Sequence, residues 1–211
     1  LTTLTENIIN RVDKLPKPSN YAQALQPIFE AISNSHYAIS DRFDEQAVTK
    51  GQILLEVENL KRQKGLHISV RDNGVGMDTT RFEAFCEVDT DYKKEKGGKG
   101  VGRLFWLDSF EKINVTSRYG STDPKELEFN FRLRDSNQIE ECETPAVDFS
   151  GIGTQIKFSN IRSNEYAENF PKREDTFLRY FASHFISDFL MDASPEVIVT
   201  IDGTEYAYPS S

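Results

Sequence analysis

The segment Leu66-His67-Ile68-Ser69-Val70-Arg71-Asp72 alternates apolar and polar residues, then puts a carboxylate where the next apolar residue belongs. Alternation with period two marks a half-buried strand, with Leu66, Ile68 and Val70 on the inner face. The same period carries Asp72 onto that face at the strand's end, where an acid is costly unless it is hydrogen-bonded, paired or bound to something. Asn73-Gly74-Val75-Gly76-Met77 follows. Glycines at alternate positions let the backbone turn sharply or let another group come close, and Met77 adds a soft apolar surface beside them. Taken alone, this hexapeptide also fits a strand that ends in an ordinary Asp-Asn-Gly turn.

A second pair of polar groups precedes the strand, on a helix. A short amphipathic helix is predicted over 5–15 and is ended by Pro16-Lys17-Pro18, because a residue before proline is pushed out of the helical region. Ser19 or Asn20 can cap a longer helix running from Tyr21 to about Ser40, which Pro27 should either kink or begin. At about 100° per residue, Leu25, Ile28, Phe29, Ile32, His36 and Ile39 share one narrow face. Glu30 and Asn34 lie one turn apart on the opposite side, with Tyr37 close to them. Such a pair is commonly a solvated face and gains meaning only from what it faces. His36, on the apolar side, reads as a core histidine rather than a ligand.

Residues 52–60 and 66–72 form a predicted hairpin. The polar stretch 78–96 sits between two glycine motifs, which makes an otherwise ordinary charged loop a candidate lid. Gly97-Gly98-Lys99-Gly100-Val101-Gly102 then leads into an apolar helix with Leu104-Phe105-Trp106-Leu107. This is not a P-loop, since Arg103-Leu104 stands where that motif needs Lys followed by Ser or Thr. It is a poor dinucleotide fingerprint too: the spacing is G-x-G-x-G and no parallel βαβ pattern surrounds it. What remains is a glycine loop whose N–H groups, with a helix dipole behind them, can hold phosphate. Lys99 can add charge there or stay in solvent. Further strands are predicted at 112–118, 127–133 and 154–158, the last introduced by Gly151-Ile152-Gly153-Thr154. A helix over 176–190 carries Phe177, Phe181, Phe185 and Phe189 as a core stripe, and a strand at 196–201 ends in an Asp202-Gly203 turn.

Charge and composition exclude several classes. The formal charge of -9 over 211 residues argues against non-specific nucleic-acid binding, which needs basic patches to displace counterions. No direct nucleic-acid contact is expected. No segment is long and apolar enough to span a bilayer, and residues 1–11 lack the apolar block of a signal peptide. Cys86 and Cys142 match no metal or redox spacing, as expected of reduced thiols in a cytoplasmic protein. The chain begins at Leu1 and is expected to be the N-terminal part of a longer protein.

In their order and spacing these motifs resemble the GHKL superfamily, the Bergerat-fold ATPases that include DNA gyrase B, the ninety-kilodalton heat-shock chaperones, histidine kinases and the MutL repair proteins. The resemblance covers residues 24–158 and points to the superfamily rather than to one member. It implies an α/β (α+β) two-layer sandwich: a mixed, mostly antiparallel sheet covered by helices on one face. It also implies a single ATP-binding domain over 1–211, with 159–211 adding a helix and a strand. The position matching Asp72 accepts a hydrogen bond from the adenine amino group, with Thr154 nearby through water. Gly74, Gly76 and Met77 would line the base, and Gly98, Lys99, Gly100, Val101 and Gly102 would wrap the phosphates. Asn34 would ligate Mg²⁺, and Glu30 would polarise the attacking water.

Glu30, four residues before Asn34, matches the hydrolysing branch, whereas histidine kinases lack it. The gap of about fifty residues between the second glycine motif and Gly153 also suits the extra strands of the hydrolases. Two features depart from the pattern. Tyr37 stands where chaperone and MutL-type members tend to have Asp, and no room is expected after 201 for the transducer domain that supplies a lysine to the γ-phosphate. The expectation is Mg²⁺-dependent ATP binding and slow hydrolysis to ADP. This would drive conformational change or homodimer closure in a larger protein with an unknown client or downstream domain. The alternative is a nucleotide-sensing or interaction module without turnover, with a phosphotransferase as a distant third.

Overall fold

The alternating segment is realised as a strand, and its neighbours in the sheet repeat its pattern. The computed structural model describes residues 7–62, 65–87 and 102–209. The strands are β1 (Gln52–Glu58), β2 (His67–Asp72), β3 (Phe110–Tyr119), β4 (Lys125–Phe131), β5 (Ile139–Glu141), β6 (Gly153–Ile161), β7 (Glu196–Ile201) and β8 (Thr204–Tyr208). They form one sheet in the order β5-β4-β3-β6-β2-β1-β7-β8. The pairings are antiparallel except β1 with β7, which run parallel.

Register determines what each face carries. Val57 lies opposite Ile68, Ile68 opposite Phe158, Phe158 opposite Ile113 and Ile113 opposite Phe131. Directly paired residues point to the same face, so these buried side chains form one apolar layer, which Val197, Val199 and Ile201 extend. The other face is largely polar, with Glu56, Arg71, Lys157 and Asn114.

Nine α-helices among the described residues accompany the sheet. They are α1 (Ile8–Asp13), α2 (Tyr21–Ala24), α3 (Gln26–Phe43), α4 (Ala47–Lys50), α5 (Thr79–Cys86), α6 (Gly102–Ser109), α7 (Asn164–Asn169), α8 (Glu174–His184) and α9 (Ile186–Leu190). The rings of Phe82 and Phe85 in α5 pack on Phe129, and Trp106 in α6 packs on Phe158. Trp106 also donates Nε1–H to the Pro27 carbonyl at 2.9 Å, which fastens α6 to the start of α3.

Several local expectations are refined. Asn20 does cap a helix, accepting from Gln23 N at 3.0 Å, but that helix stops at Leu25. Pro27 lies in the first turn of α3, where its missing N–H costs nothing, so it begins the second helix rather than kinking one long one. The stripe over 176–190 is core as expected, with Phe177, Phe181 and Phe185 buried, yet the helix breaks at Phe185 into α8 and α9. Beyond 159 the described residues add three helices, and two strands that join the sheet, not one of each. Residues 79–86, expected as the start of a polar loop, form α5. Asp78 caps it by accepting from Arg81 N at 2.9 Å, and its partly buried Phe pair packs against the core. The rest of the candidate lid, 88–96, lies outside the described residues.

His36 is half-buried, stacks on Phe185 with ring centroids 5.9 Å apart and lies 3.5 Å from the Ser194 hydroxyl. Burial lowers its pKa, against the opposing pull of Asp188. No helix among the described residues is long and apolar enough to cross a membrane.

Candidate functional site

Three adjacent strands end their apolar rows in a polar residue. On β2 the row is Ile68, Val70, Asp72. On β6 it is Phe158, Ile156, Thr154, and on β3 it is Ile113, Val115, Ser117. Ser117 pairs with Thr154, and Arg71 pairs with Gln155, which places Asp72 beside Thr154. A polar band thus crosses one end of an otherwise dry sheet face, beneath α3.

Asp72 is only 6 % exposed. Its Oδ1 accepts from Gly74 N–H at 2.8 Å and from Thr154 N–H at 3.3 Å, and its Oδ2 accepts from the Ser35 hydroxyl at 3.0 Å. Burial pushes its pKa up to about 6 despite these bonds and the nearby Arg71. A carboxylate offers about four lone-pair positions, so one position, on Oδ2, remains after these three bonds.

The loops around Asp72 are held from both sides. Asn73 accepts from Gln52 N at 2.8 Å and donates to the Lys50 carbonyl at 2.8 Å. Val75 N–H donates to the Ala38 carbonyl of α3 at 3.0 Å. Gly74 lies so close to α3 that a Cβ would meet Ala38 backbone and side-chain atoms at 2.6 Å. Gly76 adopts φ +77°, the left-handed region. The two glycines are therefore required by backbone packing and conformation. Met77 is half-buried against the core, and its N–H donates to Ser117 Oγ at 2.8 Å. Arg42 Nη1 donates to the carbonyls of Asn73 at 2.6 Å, Gly74 at 3.4 Å and Ile152 at 3.0 Å. One guanidinium thus ties the turn after Asp72 to the residues leading into Thr154. From the outer face Arg71 and Arg118 stack over Phe149, at 4.7 and 5.9 Å, holding the same approach segment.

Glu30 and Asn34 occupy successive turns of α3, and both are half-buried. Glu30 Oε1 accepts from Gln26 Nε2 at 2.9 Å. Its Oε2 lies against Gly102, the first residue of α6, closely enough that a Cβ there would overlap it. The carboxylate thus meets the positive end of a helix at the exit of the second glycine motif. Gly98, Lys99, Gly100 and Val101 of that motif lie outside the described residues. Among the described residues no three His, Cys, Asp or Glu side chains converge as metal ligands. A cation at Asn34 would draw most of its shell from phosphate and water, as Mg²⁺ commonly does.

Three contributors escaped the sequence reading: Ser35, Ser117 and Arg42. Ser35 and Ser117 carried a legible signal. Ile28, Ile32, Ser35 and Ile39 share a helix face, so Ser35 is a polar residue at a core position. It is 2 % exposed, whereas His36, assigned to that stripe, sits at its margin. Ser117 ends an inward-facing row as Asp72 does. Arg42 gave no signal, because its partners are carbonyls brought together only by the fold. Neither a protein-family model nor a curated protein matches the chain.

Proposed function

We propose that this chain is a GHKL-type nucleotide module that binds ATP with Mg²⁺ and hydrolyses it slowly. The observation that carries the reading is the buried Asp72 with a single acceptor position left. An adenine amino group can donate one N–H to Oδ2. Guanine presents two adjacent donors on its Watson–Crick edge and would need two acceptor positions, while its 6-oxo group would oppose the carboxylate. Sequence supplies the other end of the ligand: the glycine loop leading into α6, with Glu30 at that helix's first residue. The base would lie against Gly74, Gly76 and Met77, and the triphosphate would reach toward Gly102, with Asn34 as the protein's ligand to Mg²⁺. The cation would neutralise phosphate charge, and Glu30, half-buried beside Gly102, would orient and polarise the attacking water. A carboxylate in that role contributes about 10²–10⁴ in rate.

Calorimetry of the chain with Mg·ATP, followed by phosphate release from wild type and Glu30→Ala, tests the reading. The expected result is similar affinity with turnover lower by about 10²-fold or more in the variant. Equal turnover at equal affinity removes Glu30 from the chemistry. Tyr37, where the chaperone and MutL-type members that the chain resembles tend to have Asp, favours a second reading as a sensor. Binding without multiple turnover in the longer protein would select it.

A further inference from the structure

The proposed function uses Asp72 from the polar band, the resemblance adds Thr154 beside it, and the third member is left unexplained. Ser117 is wholly buried, on the same inward row as Val115, where an apolar residue would extend the dry face. Its hydroxyl meets three groups. Met77 N–H points at it from 2.8 Å, the Gly153 carbonyl lies at 3.0 Å and Thr154 Oγ1 at 3.1 Å. A hydroxyl has one proton and two lone pairs. The Gly153 carbonyl can only accept, so it takes the Ser117 proton. The Met77 N–H can only donate, so it occupies one lone pair. The one position left on Ser117 is a lone pair, and the Thr154 hydroxyl must donate to it. Thr154 therefore has no proton to offer elsewhere and shows only lone pairs to whatever lies beside Asp72.

We propose that Ser117 is a positioning residue that fixes the Thr154 hydroxyl as an acceptor, and thereby sets a preference for a 6-amino over a 6-oxo purine. The inference rests on the nucleotide reading above. With Thr154 held this way, the head of the site presents acceptors from both Asp72 and Thr154. An amino group in direct contact can donate to both, whereas a carbonyl oxygen meets lone pairs on each. Without Ser117 the Thr154 proton is free to turn toward the ligand and accommodate the carbonyl.

The test compares the affinities of the chain for Mg·ATP and Mg·ITP by calorimetry. Wild type should prefer ATP, and Ser117→Ala should narrow that preference by about tenfold. In a Thr154→Val background, which keeps the shape and removes the hydroxyl, Ser117→Ala should leave the ratio unchanged, since residues that act as one unit are non-additive. A purely structural role would weaken both nucleotides alike and leave the ratio at its wild-type value. Ser117→Cys fills nearly the same space with a weak donor and acceptor, and it should narrow the ratio also if the alanine variant does not fold. A wild-type ratio retained in the Ser117 variants, or a wild type indifferent to the base, overturns the proposal. If wild type binds neither nucleotide, the nucleotide reading itself fails.

Discussion

Replacing Asp72 by Asn separates what the folded chain gains from this residue from what it endures. Burial raises its pKa from 3.8 to about 6, against the opposing pull of the Gly74, Ser35 and Thr154 hydrogen bonds and of Arg71. An acid with a raised folded pKa holds its proton more tightly in the folded state than in the unfolded one. Its contribution to stability is therefore full below about 3.8 and is lost as pH rises through about 6. The interval from 3.8 to about 6, at about 1.4 kcal/mol per tenfold in proton affinity, amounts to about 3 kcal/mol. Because the group is fully buried, solvent screening does not diminish this. The carboxamide keeps an oxygen for the Gly74 and Thr154 N–H groups and turns an N–H toward Ser35, whose hydroxyl can accept it. Asp72→Asn should therefore equal or exceed wild type in stability near pH 8, by up to about 3 kcal/mol, and lose that advantage toward pH 4. Urea titrations across that range measure it. Asp148, lowered by Lys157, and Asp175, lowered by Arg173, titrate alike in both proteins and cancel in the difference. ATP affinity should move the other way, falling by about 10–150-fold with loss of a charge-assisted bond of about 1.5–3 kcal/mol. A flat difference between the two stability curves would refute the claim that burial strains this acid. Unchanged ATP affinity would refute its contact with the base.

Gly74→Ala forces a Cβ into Ala38 backbone at 2.6 Å, and should cost about 1–3 kcal/mol in the urea midpoint with a parallel loss of ATP affinity. Arg42→Met keeps the apolar stem but releases the carbonyls of Asn73, Gly74 and Ile152. Amide exchange at 73–75 and 152–154 should accelerate while the core of β2 and β6 stays protected; unchanged exchange would show that the clamp is ornamental. Chelating Mg²⁺ should weaken ATP more than ADP in calorimetry, and equal effects on both would remove Asn34 and its cation from the outer phosphates.

Much of the fold was legible because its signals are local. Strand β7 runs over the predicted residues 196–201, and the row Ile68, Val70, Asp72 points inward as period two requires. The missed elements had weak local signals. Strand β5 has three residues, and β8 follows the turn at Asp202 with only partly buried side chains. Helix α5 hides in a charged stretch, since only Phe82 and Phe85 pay into the core. The breaks at Leu25 and Phe185 fall inside continuous apolar stripes, which periodicity cannot divide.

The sequence by itself determined the polar and apolar faces of α3 and β2, the inward direction of Asp72, and the placing of glycines around it, since each depends on bond geometry over a few residues. Only the tertiary structure decided that Asp72, Thr154 and Ser117 form one band, that Ser35 rather than His36 reaches it, and that Glu30 meets Gly102. Those meetings depend on strand register and helix packing between residues far apart in the chain, where one residue of slip would turn every inward side chain outward.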